Sequence, residues 1–515
     1  MSKLVMLSLG GSGERVMNSV VMLLAAGMRL QDPKGADMSL LPVFLDTDIE
    51  SHALTSAREK IQVYQKLHKL FSGIRWGRDV KTGKNMNTLF HTKIEDPAEI
   101  TIDGNAMGSL GTLIDKDNFD DDKKAELAML YSPDALGVSL SKGFIGMPNL
   151  GTVALNYLVC QPKFQEILKN LQDGDRVFFI SSIFGGTGAA GFPLILNKLQ
   201  GLDIIKKEDN DIALGSVTML PYFNFSTDEP IGPKEMKANN AQEGKGFTVN
   251  SDQFDSKSFA AFMYYDTNLD KNRISSQYFI GNTDKSLYRK CLGGGGQANP
   301  ANLLEVACAT SLFHFAQNAK PRNKDNKNIS YYEYWSGKDN SHEYSLADIE
   351  EPEVKKALVR IQMFEYIMKK DLMNYTTINN KVVAKHYDFN DSNCKTLMDR
   401  FSDFFKLYDG WCKEMNSPAH KPSMQFEFYK HDPSENQFIT ECFNPSIAVT
   451  RVEGFIHHHT VVNEPDFLNK MSESMGNDKG TGWSSEEKEQ FTLYLVMAAI
   501  EKVISQTNPY KIVKL

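Results

Sequence analysis

Phe179-Ile-Ser-Ser-Ile-Phe184-Gly185-Gly186-Thr187-Gly188-Ala189-Ala190-Gly191-Phe-Pro193 joins a strand-like apolar run, Val177 to Ile180, to a helix-like run carried by Pro193, Leu194, Ile195, Leu196 and Leu199. Glycine lets a backbone turn sharply and approach a ligand closely. The helix start beyond it offers unpaired N–H groups and a partial positive charge, which suit a phosphate. Thr187 adds a hydroxyl donor. The stretch therefore reads as a phosphate-binding loop, with a ligand-free strand-to-helix turn as the alternative. It is no Walker loop, because no Lys-Ser/Thr follows a GxxxxG, and it does not fit the dinucleotide fingerprint.

The surrounding chain repeats this grammar. Residues 3–9 predict a buried strand, Gly10-Gly11-Ser12-Gly13 a second glycine loop, and Glu14 to Gly27 a helix buried through Val16, Val20, Val21, Leu23 and Leu24. Leu41-Pro-Val-Phe-Leu predicts a strand ending in Asp46-Thr47-Asp48, at the carboxyl edge where open α/β sheets bind ligands. Asp48 as a helix N-cap is the plainer reading. Lys142-Gly143-Phe-Ile-Gly146-Met147-Pro148 forms a third glycine-bearing loop before a helix, with Pro148 suited to the first turn. Ile212 to Leu220 is a strand ending in Pro221-Tyr222-Phe223-Asn224-Phe225, which borders a site or merely packs. Gln277 to Gly281 is a strand ending at Asn282, and Gly293 to Asn302 leads into an apolar helix.

The composition is globular, with 515 residues, 41% hydrophobic and 24% charged. That length accommodates two or three domains. A net charge of −8 gives no footprint for a nucleic-acid surface. The six cysteines show no CxxC pair, so buried free thiols in a reducing cytoplasm are expected. No apolar run reaches the roughly 20 residues of a membrane span, and residues 1–10 are too short for a signal peptide. A soluble, cytoplasmic protein is expected.

Taken together, the motifs resemble the tubulin/FtsZ superfamily, in that family's order, over residues 3–315. Gly185 to Gly191 is similar to its signature loop, with Phe184 in place of the first glycine and Ala190 in place of the last. Asp46-Thr-Asp48 is similar to its Asn-Thr-Asp segment, and Gly143 to Ala154 to its γ-phosphate-sensing loop, with Thr152 where an Arg is usual. Leu220 to Phe225 and Gly281 to Leu287 are similar to its ribose-side and base-side segments.

The resemblance implies an α/β fold: a Rossmann-like nucleotide-binding domain over 1–320 with a mainly parallel sheet, an insertion at 55–135 and a central helix at 298–318, then an α+β domain over 321–515 with a long amphipathic terminal helix. It implies GTP or GDP with Mg²⁺. The phosphate-side residues would be Gly10, Gly11, Ser12, Gly13, Asp46, Thr47, Asp48, Gly143, Gly146, Met147, Gly185, Gly186, Thr187, Gly188 and Ala189, with Pro221 at the ribose. Asp48 would meet the metal through the nucleotide. Asn282 and Asn302 would read the base, with a turn role open for Asn282 and an N-cap role for Asn299. It also implies head-to-tail homopolymers with hydrolysis at the subunit joint, where Asp348 would act in trans. Ser345 replaces the family's other acid there, so hydrolysis would be slow or absent, and Asp348 equally suits the first turn of a helix.

Two other readings stand beside this one. The first is a non-polymerising nucleotide sensor that recruits a partner protein through the C-terminal domain or the 55–135 insertion. The second is a dinucleotide-dependent oxidoreductase, disfavoured because the first strand-end acid, Asp46, lies more than 30 residues past the first glycine loop. The helical piece from Arg58 to Phe71 is expected as a solvated excursion. His457-His458-His459 alternates faces as a strand would, which makes a chance run the preferred account over a metal site.

Overall fold

The computed structural model describes residues 1–74, 76, 88–101, 108–144, 146–225, 251–289, 294–323, 325–335, 344–345, 351–372, 391–420, 426–427 and 483–507. Its frame is a seven-stranded sheet, every pairing parallel. The strands are β1 (Lys3–Leu9), β2 (Ser39–Leu45), β3 (Ala98–Ile100), β4 (Arg176–Ser182), β5 (Ala213–Met219), β6 (Ile274–Gly281) and β7 (Ser330–Trp335), in the spatial order β7-β6-β5-β4-β1-β2-β3. The fold class expected from the sequence is observed in this α/β sheet flanked by helices.

The central strands are apolar on both faces because both are covered. Leu4 and Met6 of β1 and Phe178 and Ile180 of β4 point into one core. Val5, Leu7 and Leu9, with Val177 and Phe179, point into the other. On the second face lie α3 (Pro148–Val159) and α4 (Gly186–Gln200). On the first lie α1 (Gly10–Ala25), α2 (His52–Ser72) and α6 (Leu303–Asn318). The helix α5 (Phe254–Asn268) packs Tyr265 against the α4 side.

Two helices start earlier than their composition suggests. α1 begins at Gly10 and α4 at Gly186, so the glycines form the first helical turns and not loops ahead of them. Glycine is a poor helix former, and close packing overrides that preference here. Pro193, read as a helix start, lies inside α4. It has no N–H to give the carbonyl of Ala189; the Tyr265 hydroxyl donates to that oxygen instead, at 2.7 Å.

The stretch expected as a solvated excursion divides in two. α2 is no excursion. Ser51 caps it by accepting from the Leu54 amide, and Leu54, Ala57, Ile61, Tyr64, Leu67 and Phe71 are buried against the main core. The helix Asp121–Leu130, by contrast, buries no residue. Beyond residue 350, α7 (Pro352–Tyr366), α8 (Asp391–Met415) and α9 (Ser485–Thr507) send Phe364, Phe401 and Phe491 into the same apolar cluster that covers β1. Phe71 meets Phe364 and Phe401 edge-on, with centroids 6.2 and 6.1 Å apart.

Asp348 and His457 to His459 lie outside the described residues. Cys308 and Cys412 are buried free thiols, as expected, whereas Cys160 is exposed. No described helix is long and apolar enough to cross a membrane.

If α2 belongs to the core, Phe71→Ala will cost about 3–5 kcal/mol in denaturant unfolding. A change within about 0.5 kcal/mol, typical of surface positions, would show that it does not.

Candidate functional site

The carboxyl ends of β1, β2 and β4 open into one cleft of about 170 Å³. Two helices aim their first turns at it. β1 passes into α1 at Gly10, whose φ of +71° is a conformation that side-chain-bearing residues rarely adopt. β4 turns at Gly185 into α4. The first-turn N–H groups of both helices have no intrahelical acceptor, and the two turns nearly touch. A Cβ on Gly10 would sit 2.9 Å from Cβ of Thr187, and one on Gly188 would sit 2.6 Å from the carbonyl oxygen of Ser182. Glycine at position 10 lets the two N-termini converge, and glycine at 188 lets α4 start against the end of β4.

Gly143 and Gly146 of the third loop close one side. Gly186 lies against that loop, where an added Cβ would be 2.8 Å from Cβ of Phe144. The Met147 amide is spent on the carbonyl of Phe144, at 2.8 Å.

Acids face these positive ends from the tip of β2. Asp46 is buried, and its Oδ1 accepts from the amides of Thr47 (2.7 Å) and Asp48 (3.3 Å) and from the Thr187 hydroxyl (3.5 Å). Burial, and then the neighbouring charge of Asp48, push its carboxyl up to about 7. Asp48 does not cap α2; its Oδ2 accepts from the amide of Gly294 at 2.6 Å. Glu14, on α1, is fully buried. One oxygen accepts from the Ser51 hydroxyl at 2.5 Å, and the other has no hydrogen-bond partner. Burial and then Asp46 hold Glu14 well above the usual carboxylate range. Among the described residues, no three His, Cys, Asp or Glu side chains converge as a self-contained metal site.

The far end of the cleft is aromatic and amide-bearing. Phe184, Tyr222, Phe223, Phe225 and Phe254 line it, as do Gln297 and Asn299. Arg15 stands at this end. Its guanidinium pairs with Glu305 at 2.5 Å and donates to the carbonyls of Asn299 (2.6 Å) and Pro300 (2.7 Å). Glu305 also accepts from the Tyr222 hydroxyl at 3.2 Å and completes the capping box of α6.

That capping box corrects an expectation. Asn302, read as a base-contacting residue, is the N-cap of α6, while Asn299, weighed as the cap, lines the cleft. The Asn302 side chain is fully buried; it accepts from the Leu304 amide and donates to Ser286 at 3.0 Å. Asn282 is buried as well, and its amide donates to the Asp284 carbonyl at 2.9 Å, as in a turn.

The cleft brings together Gly10, Gly11, Ser12, Asp46, Asp48, Gly143, Gly146, Gly185, Gly186, Thr187 and Gly188. Gly13, Thr47, Met147, Ala189, Pro221, Asn282 and Asn302 are not among its walls. Gly13 packs instead on β1, where a Cβ would be 2.8 Å from the carbonyl carbon of Ser8. Arg15, Ser51, Ser182 and Gln297 were not singled out from the sequence. Arg15 lies two residues past the first glycine run, but its partner Glu305 is 290 residues away, so only the fold pairs them.

No family model matches the sequence, and no curated protein is similar to it. A structural likeness is found to CetZ from Methanosaeta thermophila strain DSM 6194, at 13% identity and a TM-score of 0.21. It covers 55% of this chain and 46% of that one, so the chain spans under half the length of that structure. A likeness this distant assigns no function.

The acid floor makes a stability prediction. Asp46 keeps its proton to about pH 7 when folded but loses it near 3.8 when unfolded. The native state therefore binds the extra proton between those values, and stability falls as pH rises through that window. Asp46→Asn should flatten this part of the profile and raise stability at pH 8 by about 1–3 kcal/mol. An unchanged slope in melts from pH 4 to 8 would contradict the assignment.

Proposed function

We propose that the chain is a nucleotide-binding protein of the tubulin kind. GTP with Mg²⁺ would lie in this cleft, and the nucleotide would govern end-to-end association of copies of the chain. The observation that carries the nucleotide is the convergence of two glycine-built helix N-termini on one cleft at the carboxyl edge of a parallel sheet. Guanine and self-association rest on the resemblance of the ordered motifs.

In this reading the first turns of α1 and α4 hold the phosphate oxygens through N–H groups, and the Thr187 hydroxyl turns from Asp46 toward the ligand. Asp46 and Asp48 suit a hard cation. Mg²⁺ is commonly held by one or two carboxylates together with phosphate oxygens, which agrees with a floor that is acidic but forms no complete metal cage. The cation would supply charge neutralisation between acids and phosphates. Its arrival would favour the charged form of Asp46, so proton release should accompany Mg²⁺–nucleotide binding below about pH 7. Asp348 remains the proposed residue for hydrolysis in trans, and a neighbouring copy is the proposed partner, since open heterologous contacts build filaments.

Sedimentation across a concentration series with GTP, GDP, ATP or no nucleotide tests this, with released phosphate measured in the same tubes. The expected result is a pellet above a critical concentration with GTP alone, and phosphate release that rises with assembly and is lost in Asp348→Ala. Nucleotide binding without a pellet at any concentration would replace the polymer by a sensor that recruits another protein. No binding of any nucleotide would contradict the proposal.

A further inference from the structure

A second cavity, of about 370 Å³, shares no lining residue with the cleft. Residues of β6, β7, α6 and the start of α7 line it, on the first face of the sheet. Its volume falls in the range that holds a small organic molecule. Ile280, Leu303, Val306, Phe313 and Val354 give it an apolar wall.

Two further features set the kind of molecule. The first is aromatic. Tyr332, on the edge strand β7, stacks on Tyr278 with centroids 4.7 Å apart, and His314 of α6 meets Tyr332 edge-on at 4.8 Å. The Tyr278 hydroxyl lies 2.7 Å from Nδ1 of His314. All three side chains line the cavity, and Tyr332 is 37% exposed. The second is charge. Glu333, Glu351 and Glu353 line the cavity and are exposed, whereas no lysine or arginine among the described residues lines it. Glu353 meets Lys356 of its own helix at 3.7 Å, but Glu333 and Glu351 have no ion pair. Burial pushes the His314 imidazole down and the charge of Glu351 opposes that, so the carboxylate is felt at the aromatic wall. Acids at the start of α7 also suit the helix dipole, which does not account for Glu333 on β7.

The geometry points to a binding site for an organic cation with an apolar body: an amine whose tail fills the cavity beside α6 and whose ammonium lies by Tyr332, Glu333 and Glu351. Aromatic faces attract cations, and unpaired carboxylates add to that attraction. A neutral ligand of the same shape leaves these charges unused, and an anionic one opposes them. The site is independent of the nucleotide reading.

Octylamine, octan-1-ol and octanoate share a tail and differ in the charge of the head. Each is titrated calorimetrically into the full-length chain, below the concentration at which it self-associates, with thermal melts as a folding control. Octylamine should bind about 3- to 10-fold more tightly than octan-1-ol, and octanoate most weakly. The double variant Glu333→Gln/Glu351→Gln changes exposed residues only. It should bring octylamine down to the affinity of octan-1-ol and leave octan-1-ol unchanged. Ala307→Phe, which fills the cavity from α6, should weaken octylamine and octan-1-ol alike by at least about tenfold. Octan-1-ol or octanoate binding as tightly as octylamine would overturn the cationic class. Unchanged octylamine binding in folded Ala307→Phe, or none in wild type, would overturn the site. If Ala307→Phe does not fold, the double variant decides, and wild-type affinity for octylamine there would overturn the inference.

Discussion

The molecule depends on a near-contact between two helix beginnings. α1 and α4 leave neighbouring parallel strands and meet over Gly10 and Thr187, where one added carbon would come within 2.9 Å of another. Bringing two positive helix ends this close is unfavourable unless negative charge lies near them. Asp46, buried beneath the cleft and accepting from Thr187, supplies part of it once it ionises near pH 7. A bound phosphate would supply the rest. Asp46 and Glu14 hold their protons unusually long because this floor is buried and acid-rich.

From the cleft, a buried polar network runs to the C-terminal helices. Arg15 grips the carbonyls of Asn299 and Pro300, just ahead of α6. The same short segment is held from the other side by His420 and Glu414. Nε2 of His420 donates to the Ala301 carbonyl at 2.8 Å, and the Ala301 amide donates to Glu414 at 3.0 Å. Burial drives His420 down to about 4, so the ring is neutral near pH 7. Its Nδ1 is then free to accept from Ser286 at 3.0 Å. Residues 299–302 thus join the carboxyl edge of the sheet to α8 through directed hydrogen bonds.

β1, β2, β4, β5 and β6 were legible as short apolar runs, a pattern that survives without tertiary knowledge; the edge strands β3, only three residues long, and β7, the polar run Ser330–Trp335, were not. The glycine- and acid-lined end of the cleft was legible for the same reason: Gly10 to Ser12, Asp46, Asp48 and Gly185 to Gly188 are contiguous motifs. The helix starts were misjudged by about one turn at α1 and two at α4 because propensity penalises glycine, whereas packing rewards it here. α2 was misread because the partners of its Phe71, Phe364 and Phe401, come from about 290 and 330 residues further along. The cap of α6 was misassigned between Asn299 and Asn302 because either spacing suits a cap. What decides it is Glu305, three residues after Asn302, which reaches back to close the capping box.

The central claim is that the paired helix starts form an anion cradle, and Gly11 tests it most directly. An added Cβ at Gly11 meets nothing within 4 Å, although the residue lines the cleft. Gly11→Asp would therefore place a carboxylate in the cradle without a clash, in a first helical turn that tolerates negative charge. Equilibrium binding of GTP to wild type and Gly11→Asp, beside their melting curves, is the measurement. The account predicts an affinity loss of at least about tenfold with melting unchanged or raised. Equal GTP affinity in the two proteins would contradict it.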